Sequence, residues 1–285
     1  MYVFFCSYLI NLDLDLCKKG YYFSKYWEAL PKLILDSGGK SNWLHHFLFS
    51  KIVPSVKTGN NLLETFNNNS SSQDCHSYIE TYLSRRIVFR ALKSWLRLIL
   101  IASKLKNVYV LFTPQDSVAS LWPFLKRDWL TSIIGTSSIH NCLWISLFDA
   151  ALKDIPHQEN GLYLCENQGW ERAFLHAWRK HGHGKIIGVP HATVPFWHLY
   201  YFEDPRTISA SGDFSQPLPD QLAVNSPMAW DYFLESCYRP EQLAKVEALR
   251  FLIPKVLTNK SETDYPKSKN THLYNSVKNN HTSSR

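Results

Sequence analysis

The chain has 285 residues, of which 45% are hydrophobic and 19% charged, so the composition predicts a globular protein and excludes wholesale disorder. It lacks an uninterrupted apolar run of about 18 residues, which argues against a membrane-spanning helix. The six cysteines stand singly, without C-x-x-C spacing, which argues against a zinc ribbon and against a disulfide framework.

The formal net charge of +7 invites a nucleic-acid interpretation, but the last 28 residues, with five Lys or Arg against two acidic residues, supply +3 of it. The remaining charge is diluted over the chain, and no RNA-binding signature is present. We therefore expect no nucleic acid among the partners. The start of the chain lacks the basic region of a signal peptide, so we expect a cytoplasmic protein.

In the first third of the chain, short apolar runs alternate with turn signals. The run WLHHFLFSKIVP (43–54) predicts one helix that ends at Pro54. Residues 57–75 contain TGNN and NNNSSSQDC, and this polarity predicts a surface loop. The next segment, residues 77–105, has apolar residues at helical spacing and predicts a long helix.

The middle of the chain ends in the clearest pattern of the sequence. NVYVLF (107–112) is a strand candidate, and two short helices are predicted around Gly135. GLYLCEN (161–167) then predicts a strand, QGWERAFLHAWRKHG a helix capped by Asn167, and KIIGV (185–189) a second strand. This β-α-β unit makes the two strands parallel, so we expect Glu166 and His191, at the ends of their strands, to share one edge of the sheet.

The same pattern returns once before the chain becomes polar. Residues 222–225 predict a strand, Ser226 a helix cap and Pro227 the first residue of an amphipathic helix. Beyond residue 257 the polar sequence cannot offset its ordering entropy, so 258–285 is predicted to be a disordered tail.

Two strand-end residues are the best catalytic candidates. A carboxylate such as Glu166 suits general-base chemistry, and the His191 imidazole can accept a proton from a hydroxyl group. Glu171 and His183 are candidates for substrate binding. For Glu171 the alternative is a carboxylate that only complements the helix dipole, and for His183 it is a turn residue bonded to backbone.

Two later residues are further candidates for substrate binding. Trp197 suits stacking on a sugar, and Asn225 precedes a helix start that favours phosphate, although a plain turn amide is the alternative. We expect no metal, because the local histidines match no zinc signature: His181, His183, His191 and His198.

Several blocks of the sequence resemble a family of bacterial surface-carbohydrate biosynthesis proteins. The most specific is YLCENQGWERAFLHAWRKHGHGKIIGVPHATVPFW, followed by PLPDQLAVNSPMAWDYFLES and KVEALRF. The earlier fragments KGYYFSKYWEALPKL, NWLHHFL and LWPFLKRDWLTSIIG are supportive, so the resemblance covers about residues 8–252. That family is similar to glycosyltransferases with two Rossmann-like domains facing each other across a cleft, the GT-B arrangement.

The resemblance implies an α/β fold with a Rossmann-like parallel sheet flanked by helices. It implies an acceptor-side domain over 1–205 and the start of a donor-side domain over 206–257, where Arg250 would contact the donor. Family members continue for another Rossmann half, and their opening β-α segment is not evident here. This chain is therefore expected to be a truncated copy with an incomplete second domain.

The expected function is surface polysaccharide synthesis, of the O-antigen or capsule kind, by glycosyl transfer from a nucleotide-sugar. No cofactor is expected beyond that donor substrate. The partners implied are a glycan or lipid-linked acceptor and membrane-associated assembly enzymes, which would place the chain at the inner face of the membrane. The alternatives are an inactive remnant that binds glycan or a partner, and a hydrolase that pairs Glu166 with Glu171.

Overall fold

A parallel sheet organises the part of the chain that the computed structural model describes, residues 2–69, 74–114, 117–191, 194, 197–208 and 216–247. Its strands are Tyr2–Tyr8 (β1), Lys40–His46 (β2), Cys75–Tyr78 (β3), Asn160–Leu164 (β4), Lys185–Val189 (β5), Gln221–Val224 (β6) and Leu243–Lys245 (β7). All neighbours run parallel, in the order β3-β2-β1-β4-β5-β6-β7. The carboxyl ends of the strands therefore meet at one edge, which we call the carboxyl edge.

Nine helices lie in the described residues: Leu14–Lys18 (α1), Leu30–Asp36 (α2), Val56–Asn67 (α3), Arg85–Ala102 (α4), Trp122–Ile134 (α5), Thr136–Asp154 (α6), Gly169–Lys180 (α7), Pro205–Ile208 (α8) and Pro227–Glu235 (α9). Short 3₁₀ turns cover Ile79–Tyr82, Val108–Phe112, Leu199–Tyr201 and Pro240–Gln242. None of these helices has the length and apolarity needed to cross a bilayer.

The central strand β1 is buried on both faces. Its successive side chains point to opposite sides of the sheet, and both sides are covered. Phe4 packs on α7 through Phe174 and Trp178, with ring centroids 6.2 and 5.3 Å away. Phe5 points the other way and stacks on Trp43 of β2 at 3.9 Å. Aromatic rings thus fill both layers that flank the sheet.

The strand order reverses between β1 and β4, as it does in the Rossmann fold. In such sheets ligands bind outside the carboxyl ends of the strands at this switch point. The predicted α/β fold with a helix-flanked, Rossmann-like parallel sheet is confirmed. The turn after β1, however, reads Leu9-Ile10-Asn11 and lacks the glycines that cradle a dinucleotide pyrophosphate.

Several predicted elements are confirmed. Two helices meet at Gly135, and the strands and helix of the β4-α7-β5 unit are present. In α9, the Ser226 hydroxyl accepts from the Ala229 backbone N–H, with Pro227 at the first helical position. The predicted cap of α7 was wrong by one residue: Gln168 is the N-cap, while Asn167 adopts a left-handed φ of 55°.

The helix predicted over residues 43–54 is wrong, because residues 43–46 are the end of strand β2 and residues 47–54 form no helix. β2 lies between β1 and β3 and is buried on both faces at its end, so the WLHH part of the run does not alternate between apolar and polar residues. Such a run has no period that separates a strand from a buried helix. The chain start forms strand β1. No strand was predicted there, because its mostly apolar sequence likewise lacks alternation.

Three other local predictions differ from the structure. The polar segment 57–75 is mostly helix α3, which buries Leu63 and Phe66. The long predicted helix begins later, at Arg85, after strand β3 and a 3₁₀ turn. Residues 107–112 contain a 3₁₀ turn, and not a strand.

No second sheet begins in the described part of 206–257, since β6 pairs with β5 and β7 with β6. The described residues after the boundary expected near residue 205 therefore continue the sheet that begins with β1. The tail predicted over 258–285 lies outside the described residues.

Candidate active site

The carboxyl edge brings Glu166 and His191 together, as expected from the sequence. Leu164 of β4 pairs with Val189 of β5, and both candidate residues follow that pair by two positions. Oε1 of Glu166 lies 2.7 Å from Nδ1 of His191. The side chains are 23% and 25% exposed, so solvent or a substrate can reach both.

The contact between these two side chains is short, but it is not an aligned hydrogen bond. Nδ1 of His191 is buried and makes no aligned hydrogen bond. The ring of Tyr26 meets the imidazole edge-on, with centroids 4.8 Å apart, and limits its rotation. A carboxylate at Nδ1 favours the tautomer that leaves Nε2 as the proton acceptor and stabilises the imidazolium that would form.

The switch point between β1 and β4 lies beside this pair. Tyr8, the last residue of β1, accepts a 2.6 Å hydrogen bond from Nε1 of Trp170 in α7. Burial raises the pKa of the Tyr8 hydroxyl, with a further contribution from the charge of Glu166. Trp170 also packs on His46 at the end of β2, with ring centroids 4.3 Å apart. The hydrogen bond and the ring contact thus hold Tyr8 and Trp170 in place at the carboxyl edge, next to Glu166.

Sequence reasoning missed Tyr8 and Tyr26. Tyr8 becomes a candidate only when residues 2–8 are recognised as a strand, because its significance is its position at a strand end. Tyr26 lies in a turn region more than 160 residues from His191, so no local sequence signal connects the two. Only the fold brings them together.

Glu171 is a buried structural carboxylate. It is 2% exposed, and its Oε1 accepts 2.8 Å hydrogen bonds from the backbone N–H groups of Glu166 and Gln168. Burial raises the pKa of Glu171 to about 7, against the lowering effect of these two bonds. Glu171 therefore holds the turn that carries Glu166, which corresponds to the structural alternative and weakens the paired-carboxylate hydrolase.

His183 lies at the opposite edge of the sheet, before the start of β5. Its Nδ1 accepts from the backbone N–H of Gln158 at 3.2 Å, and its Nε2 lies 2.8 Å from the Leu152 carbonyl. Its ring packs on Trp178, with centroids 4.7 Å apart, and burial lowers its pKa. Both nitrogens are occupied by backbone, so the structure separates His183 from the candidate pair.

The other predicted residues have different positions. Asn225 follows β6 at the carboxyl edge and lines a cavity of about 220 Å³ with Trp230 of α9 and Lys245 of β7. Trp197 is 82% exposed and lies in the segment after His191. Arg250 lies outside the described residues.

The described residues contain no group of three or more His, Cys, Asp or Glu side chains arranged to hold a metal ion. No glycine-rich phosphate loop follows β1. The groups available at the carboxyl edge are therefore an acid–imidazole pair, buried aromatic rings and the start of α9, which together suit proton transfer from a hydroxyl group.

No protein-family model, no curated protein and no solved structure matches this chain.

Proposed function

We propose that the chain transfers a glycosyl group from a nucleotide-sugar to a hydroxyl of a surface-polysaccharide precursor, such as a lipid-linked glycan. The observation that carries the proposal is the 2.7 Å contact between Glu166 and His191 at the carboxyl edge, next to the switch point. The sequence resemblance to surface-carbohydrate biosynthesis proteins supplies the class of substrate. The proposal includes a GT-B arrangement, in which a second Rossmann-like domain faces this one across a cleft.

In this mechanism His191 is the general base. Nε2 takes the proton of the acceptor hydroxyl as its oxygen forms a bond to the anomeric carbon of the donor sugar. The bond between that carbon and the phosphate oxygen breaks, and the nucleoside diphosphate leaves with the electron pair. Glu166 stabilises the positive charge that develops on the imidazole.

The cavity beside Asn225 is a suitable place for the donor phosphates. The start of α9 presents backbone N–H groups there, and the Nζ of Lys245 adds positive charge while lying over the ring of Trp230, 4.6 Å from its centroid. The β5–β6 pairing puts Asn225 at the same edge as His191. The donor would then extend along this edge toward the acid–imidazole pair.

Release of UDP, CDP or GDP from a panel of nucleotide-sugars, in the presence of extracted lipid-linked oligosaccharides, tests the proposal. We expect turnover by the full chain and its loss in His191→Ala, while His176→Ala retains it. His176 is the matched control because it is an exposed histidine on α7. If none of the nucleotides binds and none is released, the chain is instead a glycan-binding or partner-binding module.

A further inference from the structure

Exposed apolar side chains are concentrated in one part of the described structure. Seventeen of its 31 exposed large apolar residues lie between Leu83 and Ile134, a range that covers α4, α5 and the segment that joins them. α4 and α5 pack on α6 and on each other. Only Ile87 and Ala91 of α4 are buried, and α5 buries none of its residues. We call the exposed side of this region the α4–α5 face.

The apolar residues of α4 form a stripe on its outer side. Phe89, Leu96 and Leu100 recur at spacings of seven and four residues, so they share one helix face. At about 100° per residue, this stripe lies roughly half a turn from Ile87 and Ala91, which face the core. The helix therefore presents apolar side chains on the side where a surface helix of a globular protein is normally polar.

The segment between the two helices continues this surface. Leu111 is 82% exposed, and Tyr109, Val110 and Val118 are also exposed. In α5, Phe124 is 79% exposed. Exposed apolar side chains concentrated in one region mark an interaction site, because monomeric proteins rarely leave large apolar patches in water.

The segment that contains the α4–α5 face has a strongly positive net charge. Between residues 83 and 134 the sequence contains nine Lys or Arg and two Asp. Arg86, Lys93 and Arg97 recur on one flank of the α4 stripe, at spacings of seven and four residues. Exposed apolar residues flanked by basic ones are the pattern of helices that lie in the surface of an anionic bilayer.

We propose that the α4–α5 face docks on the surface of an anionic lipid bilayer, with the apolar stripe and the joining segment in the headgroup layer and the basic flank on lipid phosphates. A second copy of the chain fits this face poorly, because a two-fold interface would oppose basic residues. Nucleic acid would leave the apolar stripe without a partner. The proposal does not depend on glycosyl transfer.

Sedimentation of the full chain with lipid vesicles tests this docking. We expect binding to vesicles of 30% phosphatidylglycerol in phosphatidylcholine, and much weaker binding to phosphatidylcholine alone or at high salt. Replacing Arg86, Lys93 and Arg97 with Gln should weaken binding about a hundredfold, since each basic residue near the surface contributes about a factor of five. The pair Phe89→Ser and Leu111→Ser should also weaken it.

Lys18, Lys19 and Lys25 are exposed lysines outside this face, and their triple replacement with Gln is the control. Equal binding to neutral and anionic vesicles, or an equal loss in the control, would overturn the proposal. So would a dimer in solution that the Arg86, Lys93 and Arg97 replacements abolish, because the face would then be an interface between copies. Nucleotide release in detergent, without vesicles, reports on the active site independently.

Discussion

Glu171 and Glu166 are close in sequence and differ in environment, and the roles that we propose for them differ for this reason. Glu166 is accessible and lies against an imidazole, whereas Glu171 is buried and accepts two backbone N–H groups. Burial raises the pKa of Glu171 to about 7, and its Oε1 accepts the two N–H groups as an amide oxygen would. The catalytic proposal therefore belongs to Glu166, and Glu171 positions it.

Replacement of Glu171 by Gln and by Ala tests this structural role. Gln retains the acceptor oxygen, while Ala removes the acceptor of the Glu166 and Gln168 backbone N–H groups and should destabilise the fold by about 2–4 kcal/mol. The pKa of Glu171 is about 7 in the folded chain and near 4.5 when unfolded, so the stabilisation from its protonated form fades as pH rises between these values. In urea unfolding, the free energy of unfolding of Glu171→Gln should rise relative to that of the unsubstituted chain from about pH 4.5 to 7. A difference that stays constant with pH would contradict the assignment.

Three buried histidines predict loss of stability in acid. Burial lowers the pKa of His45 well below 6.5, and those of His46 and His76 to about 3. The unfolded chain therefore takes up protons below about pH 6.5 that the folded chain does not, and stability falls as pH falls. The expected slope is about 1.4 kcal/mol per pH unit for each proton taken up.

Urea unfolding between pH 7 and pH 4 measures that slope. His46→Gln should lower the slope by the contribution of one proton, about 1.4 kcal/mol per pH unit. His176→Gln, at an exposed histidine, is the control. A free energy of unfolding that does not fall between pH 6.5 and pH 5 would show that these imidazoles are already charged in the folded chain.

At the scale of elements, the sequence was informative where local signals agree. The prediction of β4, α7 and β5 was correct because α7 has one apolar face and is followed by Gly182 and Gly184. The ends of the two parallel strands then place Glu166 and His191 at one edge of the sheet. β1 and β2 were missed because burial on both faces removes the alternation that marks a strand. Tyr8 was missed with β1, since its role depends on that assignment.

Trp43→Ala tests how much β2 contributes to the core. Trp43 is 2% exposed, stacks on Phe5, and donates its indole N–H to the hydroxyl of Ser41 at 2.7 Å. Its removal should cost about 3–5 kcal/mol in the free energy of unfolding. Trp197→Ala, at an exposed tryptophan, should change it by less than about 0.5 kcal/mol. Similar effects of the two replacements would be inconsistent with β2 as a central strand.

At the scale of the whole molecule, the continuous sheet changes the expected organisation. A donor-side domain beginning at residue 206 would have its own sheet, whereas β6 and β7 extend the sheet of β1. α7 is also tied to the segment before β6, since Arg172 pairs with Glu203 and donates to the carbonyl of Pro217. The described residues on both sides of the expected boundary therefore stabilise one another.

A chain that ends at residue 205 should accordingly fail to unfold cooperatively. Its β5 would become an edge strand, and the core cluster would lose Leu222 and Phe233, both of which are buried. A chain that ends at residue 257 retains every described strand and is the matched control. Amide hydrogen exchange on both chains measures the outcome: β4 and β5 should be protected in the longer chain and exchange rapidly in the shorter one. Equal protection would mean that residues 1–205 form an independent domain, as the sequence resemblance implied.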